Sequence, residues 1–183
     1  MSKRSISGRP EIGEYSHELT ADMATMPGDD AVIVLEAARN ETLALFSGLD
    51  DDGIQNVSYA PGKWTIKDIL QHLIDDERIY AYRALSVARG EQSPLAGFDE
   101  NLYAQEAKAE DRTLAAMLDE FRLVRAASVS LFGSMAEEVW GRRGSSNGHP
   151  VSVRGLAFHI AAHERHHLQL LRERYLPLVK PTV

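Results

Sequence analysis

Four segments of this chain repeat their apolar residues with the period of a helix, and none alternates with the period of a strand. Each segment is about twenty residues long, so each can bury a full stripe against the others. In the first, from Asp29 to Gly48, Val32, Leu35, Leu45 and Phe46 mark the stripe. Asp29 or Asp30 can cap its start, and Leu49 beyond Gly48 can pack back on its end. The second runs from about Ile66 to Arg89, with Ile66, Ile69, Leu70, Leu73, Tyr80, Ala84 and Val87 on one face. Thr65 and Asp68 have the spacing of a capping box, and Gly90 ends the segment. The third, from Thr113 to Met135, carries Leu114, Met117, Leu118, Phe121, Val124, Leu131 and Phe132. The fourth starts after Ser152, a suitable N-cap, and continues to Tyr175, with Pro177 as its stop. Such a set predicts an all-α four-helix bundle.

The connections complete this outline. Residues 1–28 show no sustained period and read as an extended arm, 29–177 as the bundle domain and 178–183 as a tail. Residues 49–64 read as a loop, whose acidic triplet lacks the spacing and closing glutamate of a calcium site. Residues 91–111 are long enough for a crossover between the second and third helices, with a short helical turn around Leu102 to Ala107. Gly141 to Pro150 is rich in turn formers.

Charge and composition narrow the function. The chain has no cysteine, so it has neither a thiolate metal ligand nor a cysteine nucleophile. A net charge of -7 without a basic cluster disfavours nucleic acid as a partner. No apolar run is long enough to span a bilayer, and the first residues lack the pattern of a secretory signal, so a cytoplasmic location is expected.

The fourth segment holds most of the histidines: HIAAHERHHLQLL, His159 to Leu171. On a helix, with Leu156 set at zero, His163 and His167 fall at roughly −20° and +20°, in the centre of the apolar stripe. His159 and His166 fall at the flank. Two imidazoles four residues apart stand about 6 Å apart along the axis and can reach one ion. Buried without partners, each would strand a polar nitrogen at a cost of roughly 1–3 kcal/mol. The competing reading is a pair of core histidines bonded to other side chains. A third nitrogen is available from His72, at the edge of the apolar face of the second helix. Asp76, one turn on, is a weak fourth ligand, an acceptor for an imidazole N–H, or a solvated helix charge. His159 suits an outer position, His166 the surface, and His17 and His149 have no expected role. The run from His163 to His167 also matches HExxH, but Leu170 and Glu173 stand where the extended protease motif needs glycine and histidine. A metalloprotease is not expected.

The segments YAPGKWTIKDILQHLIDDERIYAYRAL and RGLAFHIAAHERHHLQLLRERY resemble the two signature regions of the DinB-like (DinB/YfiT) superfamily. That resemblance implies up-down-down-up connectivity, a homodimer, and a divalent metal, often zinc or nickel. The ligands would be one histidine of the second helix and two of an HxxxH in the last, which are His72, His163 and His167. Relatives include thiol S-transferases that use bacillithiol or mycothiol and a thiol-dependent maleylpyruvate isomerase. The expected function is therefore a metal-dependent thiol S-transferase or hydrolase acting on a small molecule, with a low-molecular-weight thiol as partner. Asp76 and Glu77 are candidates for the base or for orienting the attacking group, although Glu77 can equally pair with an arginine. The alternative is a non-catalytic, stress-associated protein in which the ion locks the bundle.

Overall fold

The computed structural model describes residues 6–179. Its scaffold is four long helices: α2 (Ala31–Phe46), α4 (Ile66–Ala88), α6 (Leu114–Gly133) and α7 (Val153–Leu170). Shorter ones are α1 (Thr20–Thr25), α3 (Asp51–Ile54) and α5 (Glu100–Ala107). None of the described helices is long and apolar enough to cross a membrane.

The expected caps form. Asp30 accepts from the backbone of Val32 at 3.0 Å. Thr65 accepts from Asp68 N–H at 3.2 Å while its own N–H donates to the Asp68 carboxylate at 2.8 Å, closing the capping box that starts α4. Ser152 caps α7 by accepting from Gly155 at 3.0 Å. Gly90, at φ 88°, supplies the left-handed residue that stops α4.

Each of α2 and α4 packs against both α6 and α7. Leu35 and Ala38 share one apolar cluster with Leu156 and Ile160, while Phe46 shares a second with Leu168 and Leu171, so α2 and α7 are parallel. Ile69 joins Leu114 and Met117 in the second cluster and Val87 joins Phe132 in the first, so α4 and α6 are parallel too. Tyr80 lies on His159 and His72 on His167, which makes α4 and α7 antiparallel. The connectivity is up-down-down-up, with residues 89–113, including α5, crossing from α4 to α6.

Three local features differ from the sequence expectation. The arm forms a 3-10 turn (His17–Leu19) that leads into α1, and Leu19, Met23 and Met26 enter the first core cluster. Such short elements bury two or three residues and leave no measurable period. The expected loop contains α3, whose Asp50 cap accepts from Gly53 at 3.0 Å. A hairpin, β1 (Arg143–Ser146) and β2 (His149–Ser152), stands where only turn formers were read. Its four-residue strands are too short to show alternation. Residues 180–183 of the expected tail and 1–5 of the arm lie outside the described residues.

A buried charged layer separates the two apolar clusters. Arg125 of α6, 1% exposed, donates to both carboxylate oxygens of Glu77 on α4 at 2.8 and 2.9 Å. It also donates to Glu164 of α7 at 2.6 Å and to the Leu35 carbonyl of α2 at 2.6 Å. Thr42 completes the group by donating to Glu164. One guanidinium thus joins all four helices at a single level.

Candidate metal centre

Antiparallel pairing of α4 with α7 turns two sequence spacings into one ladder. On α4, His72, Asp76 and Tyr80 are four residues apart; on α7, so are His159, His163 and His167. Residues at that interval stack on one helix face. Where the faces meet, the rungs alternate: His167, His72, His163, Asp76, His159, Tyr80.

At one end of the ladder, three ring nitrogens converge. His163 Nε2 lies 3.1 Å from His72 Nε2 and 3.0 Å from His167 Nε2. One shared proton can bond only two of three such atoms. A cation bound by nitrogen at about 2.0–2.1 Å in tetrahedral geometry holds its ligand atoms about 3.3 Å apart, close to what is found. The donor set therefore fits a first-row divalent ion better than it fits hydrogen bonding. Among the described residues, these three form one of two groups whose donor atoms are close enough to hold a metal ion.

Burial sets the charge state. His72 is pushed down to about 4 by desolvation and by the neighbouring His163, and His167 to about 2 by the same causes. Both are neutral lone-pair donors at physiological pH, the state a metal requires. His163 behaves oppositely. Burial disfavours its charge, but the Asp76 carboxylate, 3.2 Å from its Nδ1, outweighs burial and raises it. Asp76 is itself 4% exposed; burial raises its carboxyl, and His163 and His159 more than reverse this. Asp76 therefore stands as a carboxylate behind the His163 imidazole, the arrangement that fixes ring orientation and tautomer where a histidine binds metal.

Two aromatic side chains bracket the ladder. Trp64 lies 4.7 Å from the His72 ring and stacks on His167 at 6.3 Å. Its loop is tied to the turn that continues α7, Leu171–Tyr175, where Tyr175 donates its hydroxyl to the Trp64 carbonyl at 3.0 Å. At the other end Tyr80 stacks on His159 at 3.5 Å with the rings nearly parallel.

The structure brings four of the five candidates together: His72, Asp76, His163 and His167. Glu77 lies one position round the helix, in the Arg125 ion pair. Glu164, the glutamate of the HExxH match, is buried in the same group. Asp76 is inside the site and not on a solvated face. His159 occupies the outer position expected of it, 3.6 Å from Asp76, and His166 is exposed and beside Asp22. Trp64 carries no sequence signal, because it precedes the helix and no period marks it. Tyr80 read as core, although its four-residue offset from Asp76 was visible.

Residues 34–171 match the DinB superfamily. The chain belongs to that family. Among solved structures it resembles YfiT from Bacillus subtilis, described as a probable metal-dependent hydrolase with an unusual four-helix bundle topology. The two superpose with a TM-score of 0.68 over 88% of this chain and 94% of YfiT, at 17% sequence identity. That likeness carries the DinB bundle fold. No curated protein matches the chain significantly.

Proposed function

We propose that this DinB-family protein is a metal-dependent enzyme, a thiol S-transferase or hydrolase, whose centre is His72, His163 and His167. The observation that carries the reading is the convergence of three Nε2 atoms at 3.0–3.1 Å from two antiparallel helices. The three imidazoles would hold a divalent ion such as zinc or nickel, which would supply Lewis-acid activation of water or a thiolate.

The chain's own residues do the rest. His72 and His167, kept neutral by burial, present lone pairs. Asp76 orients His163 through Nδ1. Trp64 shields two of the rings from water and forms an apolar wall beside them. Lacking cysteine, the protein takes its nucleophile from solution, either water or a small thiol. The work is proposed for a homodimer in the cytoplasm, with the dimer checked by sedimentation.

The test starts with protein purified without a histidine tag. Elemental analysis is expected to give at least one equivalent of a divalent first-row metal per chain. Turnover of electrophiles with a low-molecular-weight thiol, and of esters or amides without one, separates transferase from hydrolase. His72→Ala should lose the ion held by the three imidazoles, and with it the turnover, while keeping the helical circular dichroism. Metal-free wild-type protein, or full turnover in His72→Ala, overturns the reading.

A further inference from the structure

We propose that Asp76, His159 and His163 form a second divalent-cation site, joined to the first through the two nitrogens of His163. It rests on the metal-centre reading, because His163 Nε2 belongs to the first site and Nδ1 to the second.

The geometry carries the proposal. Asp76 Oδ2 lies 3.2 Å from His163 Nδ1 and 3.6 Å from His159 Nε2. The second distance exceeds a hydrogen bond, and the first is at the long limit. Both bracket the spacing of about 3.3 Å that ligand atoms keep around a tetrahedral ion bound at about 2.0–2.1 Å. All three donor atoms lie within 4.8 Å of one another. The rings are held in place: His159 by the parallel Tyr80 ring at 3.5 Å, His163 by the His72 and His167 nitrogens on its other side.

Charge points the same way. Asp76 is a buried carboxylate whose ion-pair partners among the described residues are these two imidazoles. Once His163 Nε2 holds the first ion, its ring no longer carries a full positive charge to balance Asp76, and buried charges are ordinarily paired with a full opposite charge or with a metal. Access exists as well. A cavity of about 70 Å³ between the N-terminal segment and the hairpin, large enough for water and a hydrated cation's entry, is lined by Tyr15, Ser16, Tyr80, His149, Gly155 and His159, and so leads to the outer ligand.

In the singly loaded protein, Asp76 accepts the Nδ1 proton of His163. A second cation takes that proton's place, the proton leaves to water, and the imidazolate bridges the two ions. The nitrogen and oxygen ligands suit zinc, and water fills the remaining positions.

The experiment is a zinc titration of chelator-stripped full-length protein, read by equilibrium dialysis and elemental analysis. Wild type is expected to bind two zinc ions per chain. Asp76→Asn and His159→Gln, both close in shape to the originals, should each bind one. His167→Ala should lose the first site and retain one ion at the second. Circular dichroism confirms that each variant is folded, and either of the two conservative variants suffices. One ion in wild type, unchanged in His159→Gln and lost in His167→Ala, overturns the second site and leaves the first. No ion in wild type overturns both. Two ions that persist in both conservative variants place the second ion elsewhere and also overturn the proposal.

Discussion

Arg125→Met should cost about 3–5 kcal/mol of unfolding free energy, the range for breaking a buried ion pair from one side. Arg125 uses four N–H···O contacts, two to Glu77, one to Glu164 and one to the Leu35 carbonyl. Its side chain and those of Glu77 and Glu164 are 1–2% exposed. Removing the guanidinium leaves two carboxylates facing each other without a cation, and water cannot reach them. Burial already raises the Glu164 carboxyl despite Arg125, which shows how poorly this level tolerates an uncompensated charge. For a chain of this length the loss corresponds to a fall in Tm of roughly 10 °C. Urea unfolding of the metal-stripped protein measures it without a contribution from metal binding. The companion is the triple variant Arg125→Met, Glu77→Leu, Glu164→Leu. It should regain most of the loss, because desolvated charges are replaced by packing. A single variant within about 1 kcal/mol of wild type, or a triple no better than the single, refutes the reasoning.

Acidification of the metal-stripped protein should lower its stability between pH 6.5 and about 4. In that window an unfolded His72 takes a proton that the buried one refuses, so the unfolded state binds more protons and stability rises with pH. The contribution of His72 is on the order of 3 kcal/mol, at about 1.4 kcal/mol per unit, and His72→Gln should show a shallower pH dependence in urea melts. His163, held up by Asp76, acts oppositely, its contribution fading as pH rises through its raised value. Gly155→Ala should detach the N-terminal segment, since a Cβ there would lie 1.9 Å from the Glu14 carbonyl oxygen; faster cleavage after the buried Glu14 by a glutamate-specific protease reports it. Thr65→Ala should lose about 1 kcal/mol through the α4 cap, read as a lower urea midpoint.

How much of this was legible follows from the range of each signal. The long helices and their caps depend on neighbours in sequence, so Thr65 and Ser152 could be read directly and the first cap narrowed to Asp29 or Asp30. His163 and His167 were legible because one helix sets their angle. His72 was legible as the donor available from another helix. The hairpin and α1 were not, because elements of four to six residues complete too little of a period. Arg125 was not legible either. A lone arginine in an amphipathic segment reads as solvated, and its partners Glu77 and Glu164 lie 48 and 39 residues away. Asp76 was ambiguous for a related reason: only the antiparallel packing of α4 on α7 brings it opposite His163.

That packing also explains why the charged layer and the ladder sit side by side. A ladder of i, i+4 residues on two helices works in one rotational setting. Turning α4 by a single residue, about 100°, would replace Asp76 by Asp75 or Glu77 and carry His72 off the seam. Leucine and isoleucine stripes tolerate such errors, since apolar contacts are non-directional. The Arg125 hydrogen bonds do not. Glu77 directly follows Asp76 and Glu164 directly follows His163, and the same guanidinium holds both. Its fixed fork of donors matches the two carboxylates only when both helices face the correct way. One buried cation on α6 thereby sets the rotation of the two helices that carry the histidines, and the ladder inherits its register from it.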